Sequence, residues 1–586
     1  MEIESVELRN FRGLNCTVPL SSPLALLAGE NNAGKSSVVD ALRLATAPYH
    51  DSRSRVQARP EDFSHDGTGT RIGDEFSISL HLRNLSLAER GRMVTCSTPS
   101  RGYDTAILTL HARLTEADRV VTWFSGGDRG NRDIESFAKT AIKNVYLHPL
   151  RDAARDLRPG YANRLGELVS AFATPLGNDR QLLEQIINTA NISLAQVGAV
   201  VQATDAIAAS LNGLTGVGAF GQSTDLQFAP ARYERIVASL RALMGKLVPL
   251  ELEENGLGFN NILYMAVLLS VLQNADEAPL QLLLVEEPEA HLHPQLQALL
   301  MEYLEEQAGD GTQVILTTHS PQFASAARVE RMTVMNARSG ASERSANHLG
   351  SIGVSSAHLG YLRRFLDVTK STLLFAKGVI LVEGIAEQLV VPEIAKRLGI
   401  SLTNQGIAVV SVGGLSFEAF TSLFGEGGLP ARCSVVTDGD PKVPDGDYDP
   451  DQLTESATAS SIRARAGGRV GAFVSRRTFE WDLAYESDGA NRETLLQALA
   501  PVHPRKAENL RRSDALGRQW ADEYLSAVAD SKGDVALQLA ATLARDDVEF
   551  VVPGYLAEAI RWQVEAVAET TTGDMQADAI TDASEQ

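Results

Sequence analysis

The stretch LALLAGENNAGKSSVVDALRLA constrains this chain more than any other. It reads as a buried strand, a glycine-rich loop and an amphipathic helix. Gly29, Gly34, Lys35 and Ser36 fit the spacing G-x-x-x-x-G-K-[ST]. The glycines let backbone N–H groups wrap phosphate oxygens. Lys35 neutralises the β- and γ-phosphates, and Ser36 offers a hydroxyl to Mg2+. Asn31, Asn32 and Ser37 fall in the same loop and join the nucleotide-binding set.

Two later segments suit the same site. LLLVEEPEAHLHP is an apolar strand that ends at Glu286 and Glu287. The first acid is placed to hold the water shell of a nucleotide-bound metal, and the second to polarise an attacking water. VILTTHS ends a further strand at His319, which is placed to sense the γ-phosphate. Buried strands alternating with amphipathic helices imply a largely parallel α/β sheet.

The 586 residues exceed one hydrophobic core, so two to four domains are expected. Hydrophobic residues make up 44% and charged residues 22%, which is ordinary for a globular protein. The net charge of −21 argues against coating nucleic acid through a general basic surface. It leaves room for a local basic groove, or for carboxylates that meet phosphate through divalent metal. Cys16, Cys96 and Cys433 are far apart and form no CxxC pattern, so reduced thiols in a cytoplasm are expected. MEIESVELRN reads as a first strand with no signal-peptide core, and no apolar run has membrane-spanning length. No repeat or long heptad pattern is visible.

Residues 1 to about 110 read as short strands and turns around one helix. From about 134 to 245 the pattern turns helical, through IESFAKTAIKN, ANRLGELVSAFA, DRQLLEQIINTANISLAQV and ERIVASLRALMGKL. A second α/β run begins near Gly378. Its strand GVILV ends at Glu383, a glycine follows, and Glu387 comes four residues after the first acid. A later strand, CSVVTDGD, ends at Asp438 and Asp440. Alternate residues of an extended segment point the same way, so both aspartates can face one site. Carboxyl ends of parallel strands are where such sheets place ligands. Four carboxylates there repel one another without a cation. Mg2+ or Mn2+, with hard oxygen ligands, is the natural relief, and two such ions can clamp a phosphodiester. Glu480 and Asp482 in FEWDLAYE, and Lys532 in SKGDVALQLA, lie beyond an Asp-rich and Ala/Ser-rich loop at about 441–461.

The nucleotide motifs resemble the ABC-type ATPase fold, in the branch that includes RecF, SMC and the OLD nucleases. The opening VELRNFRGL is typical of that branch, and the resemblance puts Asn10, Phe11 and Arg12 near the nucleotide base. The LSGGQ signature loop is missing. ENGLGFNNILYMA occupies its place, so Gly256, Gly258 and Asn260 are expected to meet a γ-phosphate from a second subunit. The acids of VEGIAE and TDGD resemble the Toprim domain. Together the two halves resemble the OLD (overcoming lysogenization defect) family, which includes the large subunit of the Gabija phage-defence system.

The resemblance implies an α/β chain with an ABC-type ATPase domain (1–160 and 241–370), interrupted by a helical dimerisation insert (161–240). A Toprim domain follows (371–568), then a disordered tail (569–586). It implies an ATP-controlled, metal-dependent DNA endonuclease or nickase, in phage defence or DNA processing. ATP and Mg2+ or Mn2+ are the expected cofactors, two ions in the Toprim site and one with ATP. Glu383, Glu387, Asp438, Asp440, Glu480 and Asp482 would hold metal, and Lys532 would stabilise the transition state. A homodimer or higher homo-oligomer, DNA, and a UvrD-like helicase encoded nearby are the implied partners. The family motif YLHPLRDA opens the helical segment, and Arg151 and Arg155 beside it are candidates for phosphate contact. The competing readings are a RecF-like DNA-binding ATPase that cuts nothing and an ATP-controlled assembly scaffold. A primer-synthesising Toprim enzyme would need zinc-finger cysteines that the chain lacks.

Overall fold

The computed structural model describes residues 1–565 except 21–22, 49–55, 67, 149–156, 161–162, 174–177, 216–223, 228, 246–247, 274–277, 338–343, 415 and 445–447. Arg151, Arg155 and the expected tail at 569–586 lie outside the described residues.

A seven-stranded sheet forms the first core. Its order is Arg344–His348, Met332–Ala337, Leu24–Gly29, Thr312–Thr318, Leu280–Glu286, Ile142–Leu147 and Ala47–Pro48. Every pairing is parallel except the first. Alternate residues enter opposite layers. Leu24 and Leu26 face one core, while Ala25 and Leu27 face another. Burial on both faces explains the unbroken apolar runs in these strands. A five-stranded antiparallel sheet, built from residues 2–126, covers the helix Lys35–Ala45 through Ile3, Val6 and Leu80.

The helical reading of 134–245 holds only in part. Helices occur at Arg164–Phe172, Asp179–Leu194, Gly198–Thr215 and Tyr233–Ala238. IESFAKTAIKN instead forms turns that lead into the strand Ile142–Leu147. Ile142, Val145 and Leu147 are buried against the neighbouring strand Leu280–Glu286, and that packing overrides the local helical spacing. ERIVASLRALMGKL stops being helical at Ala238 and gives a short strand at Leu243–Met244. No single helix among the described residues is long and apolar enough to cross a membrane.

A second, four-stranded sheet is wholly parallel, in the order Ile407–Ser411, Gly378–Val382, Arg432–Thr437 and Val470–Val474. Val379 and Leu381 enter the same core as Leu316 and Phe323 of the first unit. Ile380 and Val382 pack against the C-terminal helices through Trp481, Tyr524 and Leu539. The Gln563 amide donates to the Val379 carbonyl at 2.8 Å and to the Ser434 hydroxyl at 2.9 Å, sealing one edge. Ser371, fully buried, donates to the Pro321 carbonyl at 2.7 Å and ties the two units together.

Candidate functional site

The first site lies at the carboxyl ends of the central strands. Gly29 sits at φ 150° with the Met335 carbonyl so close that a Cβ would lie 2.3 Å from it. Gly34 starts the helix at φ 97°. Both conformations favour glycine. Asn32 is also left-handed, at φ 65°, and it lies with Asn31 and Ser36 on the exposed side of the loop; Ser37 is half-buried beside them. Ser36 Oγ donates to Glu286 Oε2 at 2.6 Å, which brings the loop hydroxyl and the acidic strand together. Lys35 Nζ donates to the Gly29 and Glu30 carbonyls, each at 2.7 Å. Burial lowers the Lys35 ammonium from its usual range, while Glu287, Glu289 and Glu286 oppose that shift. Burial likewise raises Glu286, against the bonds it accepts from Ser36 and Tyr146.

His319 Nδ1 stands 3.3 Å from Glu287 Oε1, so these two predicted residues meet. Glu287 takes φ 46°, a conformation rare for a residue with a side chain, at the end of the acidic strand. Two members of the site escape a reading of the sequence. Tyr146 donates to Glu286 Oε1 at 2.9 Å. Glu289, buried, accepts from Thr318 Oγ1 at 2.5 Å and from the His319 amide at 3.3 Å. The spacing E-E-P-E was the available signal for Glu289. Tyr146 had none, because only the sheet order brings its strand beside the acidic one.

Phe11 requires correction. It is fully buried and packs edge-on to Phe76 at 5.1 Å, so it belongs to the core and cannot meet a nucleotide base. Asn10 donates to the Glu75 carbonyl at 2.7 Å. Arg12 bridges Asp40 of the phosphate-loop helix and Asp62, both at 2.7 Å. The hairpin therefore braces the loop, and Leu14 lies against Gly34. Asn260 is a second correction. It is 2% exposed and donates to the Leu252 carbonyl at 2.8 Å, so it holds a helix start and does not face outward. Gly258 lets that helix approach closely, since a Cβ there would lie 2.7 Å from the His291 carbonyl. Gly256 is exposed.

The second site lies at the carboxyl edge of the parallel four-stranded sheet. Glu383 Oε1 accepts from Thr437 Oγ1 and, at 2.8 Å, from the Asp438 amide. Asp438 Oδ1 accepts from the Phe479 amide at 2.7 Å and from Ser475 Oγ at 3.3 Å. Glu387 accepts from the Gly384 amide at 3.2 Å, capping its own helix. Lys532 Nζ donates to Glu480 Oε2 at 2.8 Å. Asp440 is exposed at φ 40° beside them, and its charge adds to that felt by Glu383.

The electrostatics show the crowding. Burial raises Glu387 to about 6, with Glu480 and Glu383 adding to the shift. Desolvation raises Asp438 well above the usual carboxylate range, and Glu383, Glu387 and Glu480 push it further. Burial opposes the Lys532 charge, yet Glu480, Asp438 and Glu387 outweigh it and raise the ammonium. Asp482 is placed differently from its neighbour. Residues two apart on a helix point to different sides. Its oxygens accept from the Arg476 amide at 2.7 Å and the Arg477 amide at 3.2 Å, so Asp482 pins the preceding loop. Burial raises it to about 7. Among the described residues no three His, Cys, Asp or Glu side chains close into a ready metal cage. Thr437, Lys532 and backbone amides hold the acids in their present positions.

Residues 1–101 and 160–324 match the AAA ATPase domain family, and residues 374–440 match the overcoming lysogenization defect protein-like TOPRIM domain family. The chain is 25% identical to the OLD nuclease of Thermus scotoductus, over 70% of this chain and 77% of that protein. It is 26% identical to the uncharacterized protein YbjD of Escherichia coli, over 75% and 80%. It is 21% identical to the endonuclease GajA of Bacillus cereus, over 76% of each. Among solved structures, the C-terminal region of the Burkholderia pseudomallei OLD protein covers 33% of this chain and 99% of its own length, at 25% identity and a TM-score of 0.26.

Proposed function

We propose that this chain, which joins an AAA ATPase domain to an OLD-like Toprim domain, is an ATP-dependent nuclease that cuts DNA with divalent metal held by its Toprim carboxylates. One observation carries the reading. Glu383, Glu387, Asp438 and Glu480 gather with Lys532 at one edge of a sheet other than the one that carries the phosphate loop. The donor set fits Mg2+ or Mn2+, being all carboxylate oxygen with protonation favoured by burial and then by mutual repulsion. Bound divalent cations would neutralise these acids and polarise both the phosphodiester and the attacking water. Glu383, Asp438 and Asp440 are the central ligands in this reading, with Glu387 and Glu480 beside them.

Lys532 has the charge to stabilise the extra negative charge that develops on the phosphate. Its present bond to Glu480 holds the ammonium at the site. In the ATPase site, Lys35 and the loop amides would cradle phosphate, Ser36 and Glu286 would hold a magnesium ion, Glu287 would orient water and His319, 3.3 Å from Glu287, would steady it. The helices Asp179–Leu194 and Gly198–Thr215 expose Leu182, Ile186, Ile192, Val201, Ile207 and Leu214, which supports assembly of copies of the chain there.

Supercoiled plasmid incubated with the protein and Mg2+ or Mn2+ tests the nuclease. Wild type is expected to nick or linearise it. Asp438→Ala and Lys532→Ala are expected to lose roughly 100-fold or more in rate. A wild-type protein that leaves plasmid intact with either metal, or variants that cut as fast, would overturn the assignment.

A further inference from the structure

Glu289 belongs to the phosphate-loop site but takes no part in the chemistry assigned above. It is 6% exposed, and it reaches across to the end of the neighbouring strand Thr312–Thr318. Its Oε1 accepts from the Thr318 hydroxyl at 2.5 Å and from the His319 amide at 3.3 Å. The Thr318 hydroxyl in turn accepts from the Ser320 amide at 3.0 Å. On the other side of Pro288, the Glu287 amide donates to the Thr317 carbonyl at 3.1 Å. Residues 287–289 therefore grip the end of that strand at two points.

His319 leaves this held turn with a side chain that is 46% exposed. Its Nδ1 stands 3.3 Å from Glu287 Oε1 and 3.9 Å from Glu289 Oε1. A half-exposed ring keeps its rotamer freedom unless its backbone and its polar partners fix it. Glu289 Oε2 is buried with no hydrogen-bond partner among the described residues. A buried polar atom left unpaired costs about 1–3 kcal/mol, so fold stability alone is a poor reason for a carboxylate here. We infer that Glu289 is a positioning residue of the ATPase site: it fixes the turn from Thr318 to Ser320 and thereby aims His319 at Glu287. An apolar residue at 289 would strand the Thr318 hydroxyl and the His319 amide, and the ring would lose its set direction. The inference rests on the ATPase reading above and is independent of DNA cleavage.

Steady-state ATP hydrolysis by the full-length protein tests it. Glu289→Ala is expected to lower kcat roughly 10-fold or more, with the KM for ATP within about twofold of wild type. In a His319→Ala background the same change is expected to cost less than about twofold, because the residue it acts through is gone. Glu289→Gln keeps an oxygen for both donors, and its kcat is expected to stay within about threefold of wild type. A crystal structure of Glu289→Ala is expected to show the His319 ring beyond hydrogen-bonding distance of Glu287. A full loss on top of His319→Ala, an unmoved ring, or Glu289→Gln as slow as Glu289→Ala would each overturn the inference and leave the ATPase reading standing. Where Glu289→Ala does not fold, a folded Glu289→Gln slowed 10-fold or more overturns it alone. Wild type that hydrolyses no ATP would overturn the ATPase reading, and a displaced ring in Glu289→Ala would then leave the positioning of His319 intact.

Discussion

Glu387 shows how much one residue can report. Its carboxyl is raised to about 6 by burial and by Glu480 and Glu383. The folded state therefore holds this proton at pH values where the unfolded chain releases it. The associated stability is present at low pH and is lost as pH rises through about 6. Glu387→Gln removes that penalty and keeps an acceptor for the Gly384 amide. In chelator, the variant is expected to exceed wild type by under about 1 kcal/mol at pH 5 and by about 2 kcal/mol at pH 7.5. Denaturant unfolding at the two pH values checks this, and an equal gap at both would refute it. The carboxylates at strand ends were legible because apolar runs stopped abruptly at them. Tyr146 was not, since only the sheet order brings its strand beside the acidic one.

At the scale of elements, Gly439 decides how the two strands beside the acids approach. It lies between Asp438 and Asp440, and a Cβ there would lie 2.4 Å from the Ser475 carbonyl. Gly439→Ala must push apart the ends of Arg432–Thr437 and Val470–Val474, at a cost of about 1–3 kcal/mol. Plasmid cleavage is expected to fall at least tenfold, with ATP hydrolysis by the phosphate loop of the other sheet retained. A variant that cuts like wild type would show that the strand ends tolerate displacement. The same scale explains the failed helix at IESFAKTAIKN. Its apolar spacing suits a helix, but pairing with Leu280–Glu286 buries Ile142, Val145 and Leu147 more completely. Phe11 and Asn260 were misplaced for a related reason: a motif gives neighbourhood, while packing gives direction.

Across the whole molecule, the two units share a core. Val379, Leu381 and Val435 of the second sheet cluster with Leu316, Phe323 and Leu362 of the first unit. Tyr361 stacks on Phe365 at 4.3 Å and meets Phe420 edge-on at 6.1 Å, adding an aromatic seam. Such a seam couples the stabilities of the parts it joins. Calorimetry is expected to show the ATPase and Toprim sheets unfolding in one transition, and two resolved transitions would count against a common core. The route from His319 to the second sheet is short. The helix Pro321–Ala326 follows His319 directly, and its first carbonyl accepts from buried Ser371.

The sequence by itself determined the chemistry available. The G-x-x-x-x-G-K-[ST] loop, the acids at strand ends, and Lys532 at a helix start were all visible as local patterns, since each depends on residues close in the chain. The tertiary structure alone decided which side chains face which site. It turned Glu480 toward Lys532 and Asp482 toward backbone amides, buried Phe11, and brought Tyr146 to Glu286. Those choices rest on sheet order and helix rotation, which are set by burying apolar faces contributed from across the chain.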